Sequence, residues 1–310
     1  MQRVSPAARL DLFRCACDLE FTNLIFIEVS YGLHFAFVFS GDSLFSGILA
    51  HRTFCVCSGS TFASLPTASV TFGPYARFEL GTARKSVGGG FWQPPGFLKV
   101  TDPDPQINFN LDSGNSNFRS VAIGYDWQNG FRGDISLSAS GSATVSGPCQ
   151  SASDGSPCSD IVGQVHADIS DASVSTTALM ANLFYSPLEQ RGSNSVFQPF
   201  VVAGVGLARN KVGSWTRENS AKVGEETRSF AGDTSTGLAF SVGFGASMQV
   251  TRPGKWPVII EAAWRYYDYG SASGSSAPLT GEGGIPVTPL TFDTKEQVIS
   301  LGVRIPLKRY

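Results

Sequence analysis

Charge is what this chain has least of. Only 15% of its 310 residues are charged, against about 25% in an average soluble domain. Its 23 basic and 25 acidic residues nearly cancel. With no basic run and no RNA-binding aromatic motif, nothing in the charge pattern points to nucleic acid. Histidine is scarce as well: His34, His51 and His166 are the only three. A Ser–His–acid hydrolase would have to be built on His166, in a loop rich in Asp and Ser that carries no supporting motif. No uninterrupted apolar run of about 20 residues marks a membrane-crossing helix. Low charge without such a run is odd for a helical membrane protein and ordinary for one that crosses with alternating strands.

Glycine and aromatic residues are plentiful, and they fall into a two-residue period. In the last stretch, Ile299, Leu301, Val303, Ile305 and Leu307 alternate with Ser300, Gly302 and Arg304, and the chain ends at Tyr310. This is the signature of a strand with two unlike faces. Seven earlier segments repeat it. Ala76, Phe78 and Leu80 alternate with Arg77 and Glu79; Val121, Ile123, Tyr125 and Trp127 alternate with Ala122, Gly124 and Asp126. Asn129-Gly130 follows, a tight-hairpin signal, and Ile135, Leu137 and Ala139 then alternate with Arg132, Asp134 and Ser136. Further segments run through Thr176–Tyr185, Gln198–Arg209, Leu238–Ser247 and Pro257–Tyr269, the last with Ile260, Ala262 and Trp264 opposite Glu261 and Arg265.

The connections alternate long and short. Polar loops of about residues 82–119, 146–170, 211–234 and 270–293 are separated by the turns at Gln128–Gly130, Gln190–Asn194 and Arg252–Lys255. That rhythm predicts an up-and-down barrel elaborated on one side. The strand charges Arg77, Glu79, Asp126, Arg132, Asp134, Glu261, Arg265 and Arg304 all share the face that also carries Gly124, Gly204, Gly206, Gly243, Gly245 and Gly302. Small residues suit a narrow interior, and a charge turned to lipid would cost about 2–4 kcal/mol near the midplane. The charged face is therefore expected inside and the aliphatic and aromatic face outside, with Tyr125, Trp127, Tyr185, Trp264 and Tyr266 near strand ends as an aromatic girdle. A soluble barrel such as a lipocalin would have these faces reversed.

Residues 1–68 read differently. Arg3, Arg9 and Arg14 precede an apolar region interrupted by Glu28, His34 and Asp42, and small residues follow, with Thr61-Phe62-Ala63 and Pro66-Thr67-Ala68 as cleavage candidates. The order is that of a targeting segment, so residues 1–68 are expected to lie outside a barrel domain of residues 69–310.

Four segments carry a resemblance. Gly73-Pro-Tyr-Ala-Arg77, Thr176–Tyr185, Gln198–Gly206 and Ala263-Trp-Arg-Tyr-Tyr-Asp268 together resemble the opacity-type, OmpA-like outer-membrane β-barrel proteins of Gram-negative bacteria. The resemblance covers about residues 69–310. It implies an all-β fold: a closed, eight-stranded, antiparallel, up-and-down transmembrane barrel with four long extracellular loops and three short periplasmic turns. It also implies that the closing strand, through Leu301, Val303, Ile305, Leu307 and Tyr310, is the signal read by the barrel assembly machinery. The ending Leu307-Lys-Arg-Tyr310 departs from the family, which stops at an aromatic directly after its strand. Partners implied are outer-membrane lipid or lipopolysaccharide and a host or cell-surface ligand of the loops, with no nucleic acid.

Chemistry is sparse. The eight strand charges form either a salt-bridge network that plugs the lumen or an ion-selective constriction, and the plug is favoured by the little room such a barrel has. Cys149 and Cys158 flank a Gly/Ser segment in the second long loop, where an oxidising exterior favours a disulfide. Cys15/Cys17 and Cys55/Cys57 would hold zinc only in a folded module that the leader does not suggest. Gly204-Val-Gly206 and Gly243-Phe-Gly245 begin a dinucleotide fingerprint and fail it, lacking the third glycine and a helix. No cofactor, metal or catalytic residue is expected, and the expected role is structural or surface-interacting, with a narrow channel second and a surface lipid hydrolase a distant third.

Overall fold

The structure is a computed structural model, and it describes residues 24–29, 33–38, 73–95, 106–127, 129–151, 157–158, 168–190, 197–219, 224, 226–251, 256–281 and 284–308. The chain forms two units, Met1–Thr61 and Phe62–Tyr310. The first contains an antiparallel hairpin of β1 (Leu24–Val29) and β2 (Leu33–Val38). The candidate cleavage sites, His166 and Tyr310 lie outside the described residues.

The second unit is a single antiparallel sheet of thirteen strands. In order these are β3 (Gly73–Gln93), β4 (Ile107–Phe109), β5 (Asp112–Ser113), β6 (Asn115–Asp126), β7 (Phe131–Ser151), β8 (Asp168–Tyr185), β9 (Phe197–Val212), β10 (Trp215–Asn219), β11 (Arg228–Phe230), β12 (Asp233–Gln249), β13 (Ile259–Ser273), β14 (Pro278–Thr280) and β15 (Thr288–Pro306). A four-residue helix, α1 (Pro187–Gln190), lies between β8 and β9. Eight strands are long, 12 to 21 residues each, and their pairings are cyclic. β3 pairs β6, β6 pairs β7, β7 pairs β8, β8 pairs β9, β9 pairs β12, β12 pairs β13, β13 pairs β15, and β15 pairs β3 again. The five short strands extend this ring at the end where the long loops leave it.

The outer face follows from the alternation. One cross-strand row reads Phe78, Val121, Leu137, Leu179, Leu207, Leu238 across six strands, and every one of these side chains is 49–63% exposed. On β12 the outward apolar residues run from Leu238 to Met248, about 35 Å of strand. At a barrel tilt of about 45° that becomes an apolar band about 25 Å tall, the thickness a membrane barrel presents to lipid. At the hairpin, Gly130 has φ 82° and Asn129 Oδ1 accepts the Phe131 N–H at 3.1 Å, so the Asn-Gly turn forms where its sequence places it.

Three expectations need correction. First, the strands run on into the segments expected to be loops: β3 continues to Gln93, β7 to Ser151, and β15 begins at Thr288. In these extensions the alternation inverts, with Trp92, Ile107, Phe109, Leu111, Val145, Val174, Val212, Trp215, Phe230, Leu290 and Phe292 buried together and polar residues such as Ser173, Lys211 and Asp293 turned out. Above the apolar band the outer face meets water, so the apolar residues go inside. Second, the aromatics are not all outside: Tyr75, Phe118, Phe184, Phe200, Tyr267 and Tyr269 are buried in the interior. Glycines make room for two of them: a Cβ on Gly245 would come 2.6 Å from the Phe200 ring, and one on Gly124 2.6 Å from Tyr75. Third, strand charges do not all face in. Arg119 is exposed on the outer face, paired with Leu80 and Ala139. A long arginine side chain can carry its charge to water from the edge of an apolar band, which makes the residue tolerable there.

Candidate functional site

The interior at the level of the apolar band is where the sequence concentrated its charge, and the ring brings all eight predicted residues together. Arg77 and Glu79 come from β3, Asp126 from β6, Arg132 and Asp134 from β7, Glu261 and Arg265 from β13, and Arg304 from β15. Each is 1–6% exposed. Four guanidiniums meet four carboxylates, so the group is neutral as a whole.

The pairing is dense. Asp134 accepts from the Arg77 guanidinium at 2.8 Å, from the Tyr75 hydroxyl at 3.2 Å and from the Asn182 amide at 2.7 Å. Arg77 also pairs Glu79, which binds Arg265 at 3.0 Å. In a second cluster Glu261 holds Arg132 at 3.0 Å and Arg304 at 2.9 Å, and Arg304 reaches Asp126 at 3.0 Å. The Phe184 ring joins the clusters: the guanidinium carbons of Arg132, Arg77 and Arg265 lie 4.4, 5.2 and 5.5 Å from its centre. An aromatic face carries negative potential that three cations can share. Deep burial demands this arrangement, since a desolvated charge is tolerable only when paired and hydrogen-bonded.

Glu189 of α1 lies within the electrostatic reach of Asp126, Arg304 and Arg132. Burial, reinforced by Asp126 and opposed by the two arginines, raises its carboxyl above the ordinary range.

Sequence reasoning missed a second interior layer. Lys85 of β3 pairs Glu296 of β15, and Ser140 of β7 donates to the same carboxylate at 2.5 Å. Around them Phe118, Met180, Tyr267, Tyr269 and Val298 are buried. The signal was parity: Lys85 keeps step with Arg77 and Glu79, and Glu296 with Arg304, once both strands are extended. Higher still, the Trp215 and Phe230 rings stack at 4.2 Å with Trp92 edge-on to Trp215 at 6.1 Å, closing the interior with an apolar layer.

Chemically, this is a set of buried charges paired with one another, though some of their atoms, Arg132 Nε, Arg265 Nε and Glu261 Oε2 among them, have no hydrogen-bond partner among the described residues. No cluster of metal-ligating side chains exists among the described residues. Cys149 and Cys158 are joined by a disulfide, with Cα atoms 5.7 Å apart. Leu301, Val303 and Leu307 are exposed on the outer face and Ile305 is half-buried.

No protein-family model matches the sequence, and no curated protein does. Among solved structures, the chain is similar to Neisserial surface protein A, at 14% identity over 77% of this chain and 100% of that one, with a TM-score of 0.38. It is similar to the outer-membrane protein OprG from Pseudomonas aeruginosa at 16% identity over 76% and 97%, TM-score 0.42. It is also similar to the outer-membrane protein AlkL at 16% identity over 81% and 98%, TM-score 0.39. At these values the likenesses say nothing of what this chain does.

Proposed function

We propose that residues 69–310 are a closed eight-stranded transmembrane β-barrel of the outer membrane whose interior is plugged, and that the protein works as a structural or surface-interaction protein without catalysis. The observation that carries this reading is the three-layer interior inside an apolar-faced ring: paired charges, then Lys85–Glu296 with its tyrosines, then an apolar core. A channel needs a continuous polar path, and at the upper end the Trp92, Trp215 and Phe230 rings are packed together in the interior. The extracellular strand extensions then present the loops to a cell-surface or host ligand, the outer face meets lipid, and the closing strand (Leu301, Val303, Ile305, Leu307 and Tyr310) is the segment that the barrel assembly machinery reads. Residues 1–68 serve as the targeting segment.

Two measurements test this. Refolded protein on a gel migrates differently before and after boiling, with a β-rich circular dichroism spectrum. In planar bilayers the same protein carries no steady ion current. Open-channel steps whose size or ion selectivity changes in Arg304→Ala or Glu261→Ala would favour the constriction over the plug.

A further inference from the structure

On the outer wall, one site stands out for what surrounds its cations. Arg209 and Lys211 point outward from β9, both exposed. Register surrounds them with hydroxyls: Lys211 pairs Ser175 on one side and Thr234 on the other, and Arg209 pairs Thr177 and Thr236. The next row down is Leu179, Leu207 and Leu238, each more than half exposed. Three neighbouring strands thus present two rows of cations and hydroxyls standing directly on the upper edge of the apolar band. Neither cation has a salt-bridge partner among the described residues. The carboxylate at the top of β12, Asp233, accepts the N–H of Thr234 at 2.7 Å.

The other cations on the outer wall differ. Lys295 of β15 is paired across strands with Asp268 of β13, both pointing outward, so its field is compensated. Arg84 pairs Asn115 and Gln297, with Lys295 diagonally beyond it. Among the described residues, only the β8–β9–β12 face combines two outward cations on one strand, neither with a carboxylate in its cross-strand row, with a hydroxyl on each side of both.

We propose that this face binds an acylated lipid through its phosphate, the headgroup seated on Arg209 and Lys211 with Ser175, Thr177, Thr234 and Thr236 donating to its oxygens, and the chains lying on Leu179, Leu207 and Leu238. Two charge classes meet here as in the ligand: an anion is held where water is near, and hydrocarbon covers the surface below it. Hydroxyls and guanidinium supply donors that a phosphate needs and that a bare hydrocarbon chain cannot use. The proposal rests on the barrel reading, because it needs the lower row to face hydrocarbon.

The test uses the full chain folded in a non-ionic maltoside detergent, with gel heat-shift and circular dichroism establishing the fold of each sample. Phosphatidic acid is titrated in and retained lipid is counted by native mass spectrometry, with diacylglycerol as the acyl control and inorganic phosphate as competitor. Phosphatidic acid binds and diacylglycerol does not. Arg209→Gln with Lys211→Gln weakens phosphatidic acid binding about thirtyfold, the product of two surface cation contacts, while Lys295→Gln leaves it unchanged. Inorganic phosphate competes poorly, since it leaves the leucine row uncovered. Folded protein that does not prefer phosphatidic acid to diacylglycerol, or a double variant that binds like the parent, overturns this site and leaves the barrel standing. Competition by inorganic phosphate at concentrations comparable to the lipid's would assign the patch to free phosphate and overturn the lipid proposal. A parent that shows neither heat shift nor β spectrum overturns the barrel reading, and this site with it.

Discussion

Replacing Ile135 with Arg separates the two faces most sharply. Ile135 is 57% exposed, paired with Ile123 on β6 and Ala181 on β8, both turned out beside it. It lies one outward position below the Phe78–Leu238 row, in the body of the apolar band. A guanidinium there stands in hydrocarbon and is expected to cost about 2–4 kcal/mol. Thr144 is the matched control. It lies on the same strand and is also exposed, but nine residues further up, about 30 Å along the strand, where it pairs Ser173. Thr144→Arg falls above the band, among polar neighbours, and is expected to cost about 0–1 kcal/mol. Folded protein in phosphatidylcholine vesicles, unfolded with guanidinium and followed by tryptophan fluorescence, reads both values against the parent. In detergent without a bilayer the gap between the variants narrows, because the micelle deforms around the charge. Equal costs in vesicles, or a greater cost at Thr144, would refute the assignment of this face to lipid.

Three other perturbations have definite outcomes. Glu261→Ala leaves Arg132 and Arg304 sharing no carboxylate between them and destabilises by about 3–5 kcal/mol, read by the same unfolding curve; Glu261→Gln, which keeps the shape and some hydrogen bonding, costs less. Trp215→Ala empties the centre of the upper apolar layer and costs about 3–5 kcal/mol locally, so limited proteolysis cuts the upper extensions faster while the gel heat shift persists. Because the folded Glu189 carboxyl is raised, the folded state holds that proton more tightly than the unfolded chain. Its contribution is present below the ordinary glutamate pKa and is lost as pH rises through the raised value. Glu189→Gln therefore gains stability relative to the parent at neutral pH and loses that advantage in acid; a constant difference across pH would refute the cause given.

What the sequence determined by itself was the pair of faces over the membrane-level strands. Strand side chains alternate by covalent geometry, so Arg77, Asp134, Glu261 and Arg304 had to share a side, and Phe78, Ile135 and Leu301 the other. The Asn129-Gly130 turn was equally local, because the positive φ it needs is built into glycine. Three things waited for the tertiary structure. Which acid binds which base depends on register around the whole ring, so Arg304 meeting Glu261 and Asp126 rather than Glu79 is a non-local fact. The buried Tyr75 and Phe200 sit inside because Gly124 and Gly245 beside them leave space, and a glycine's space is visible only when its neighbour is known. The length of the strands was hidden because the solvent changes along them. Where lipid gives way to water, the same alternation continues with its faces exchanged, and a pattern sought with one polarity ends at the point where the polarity turns over.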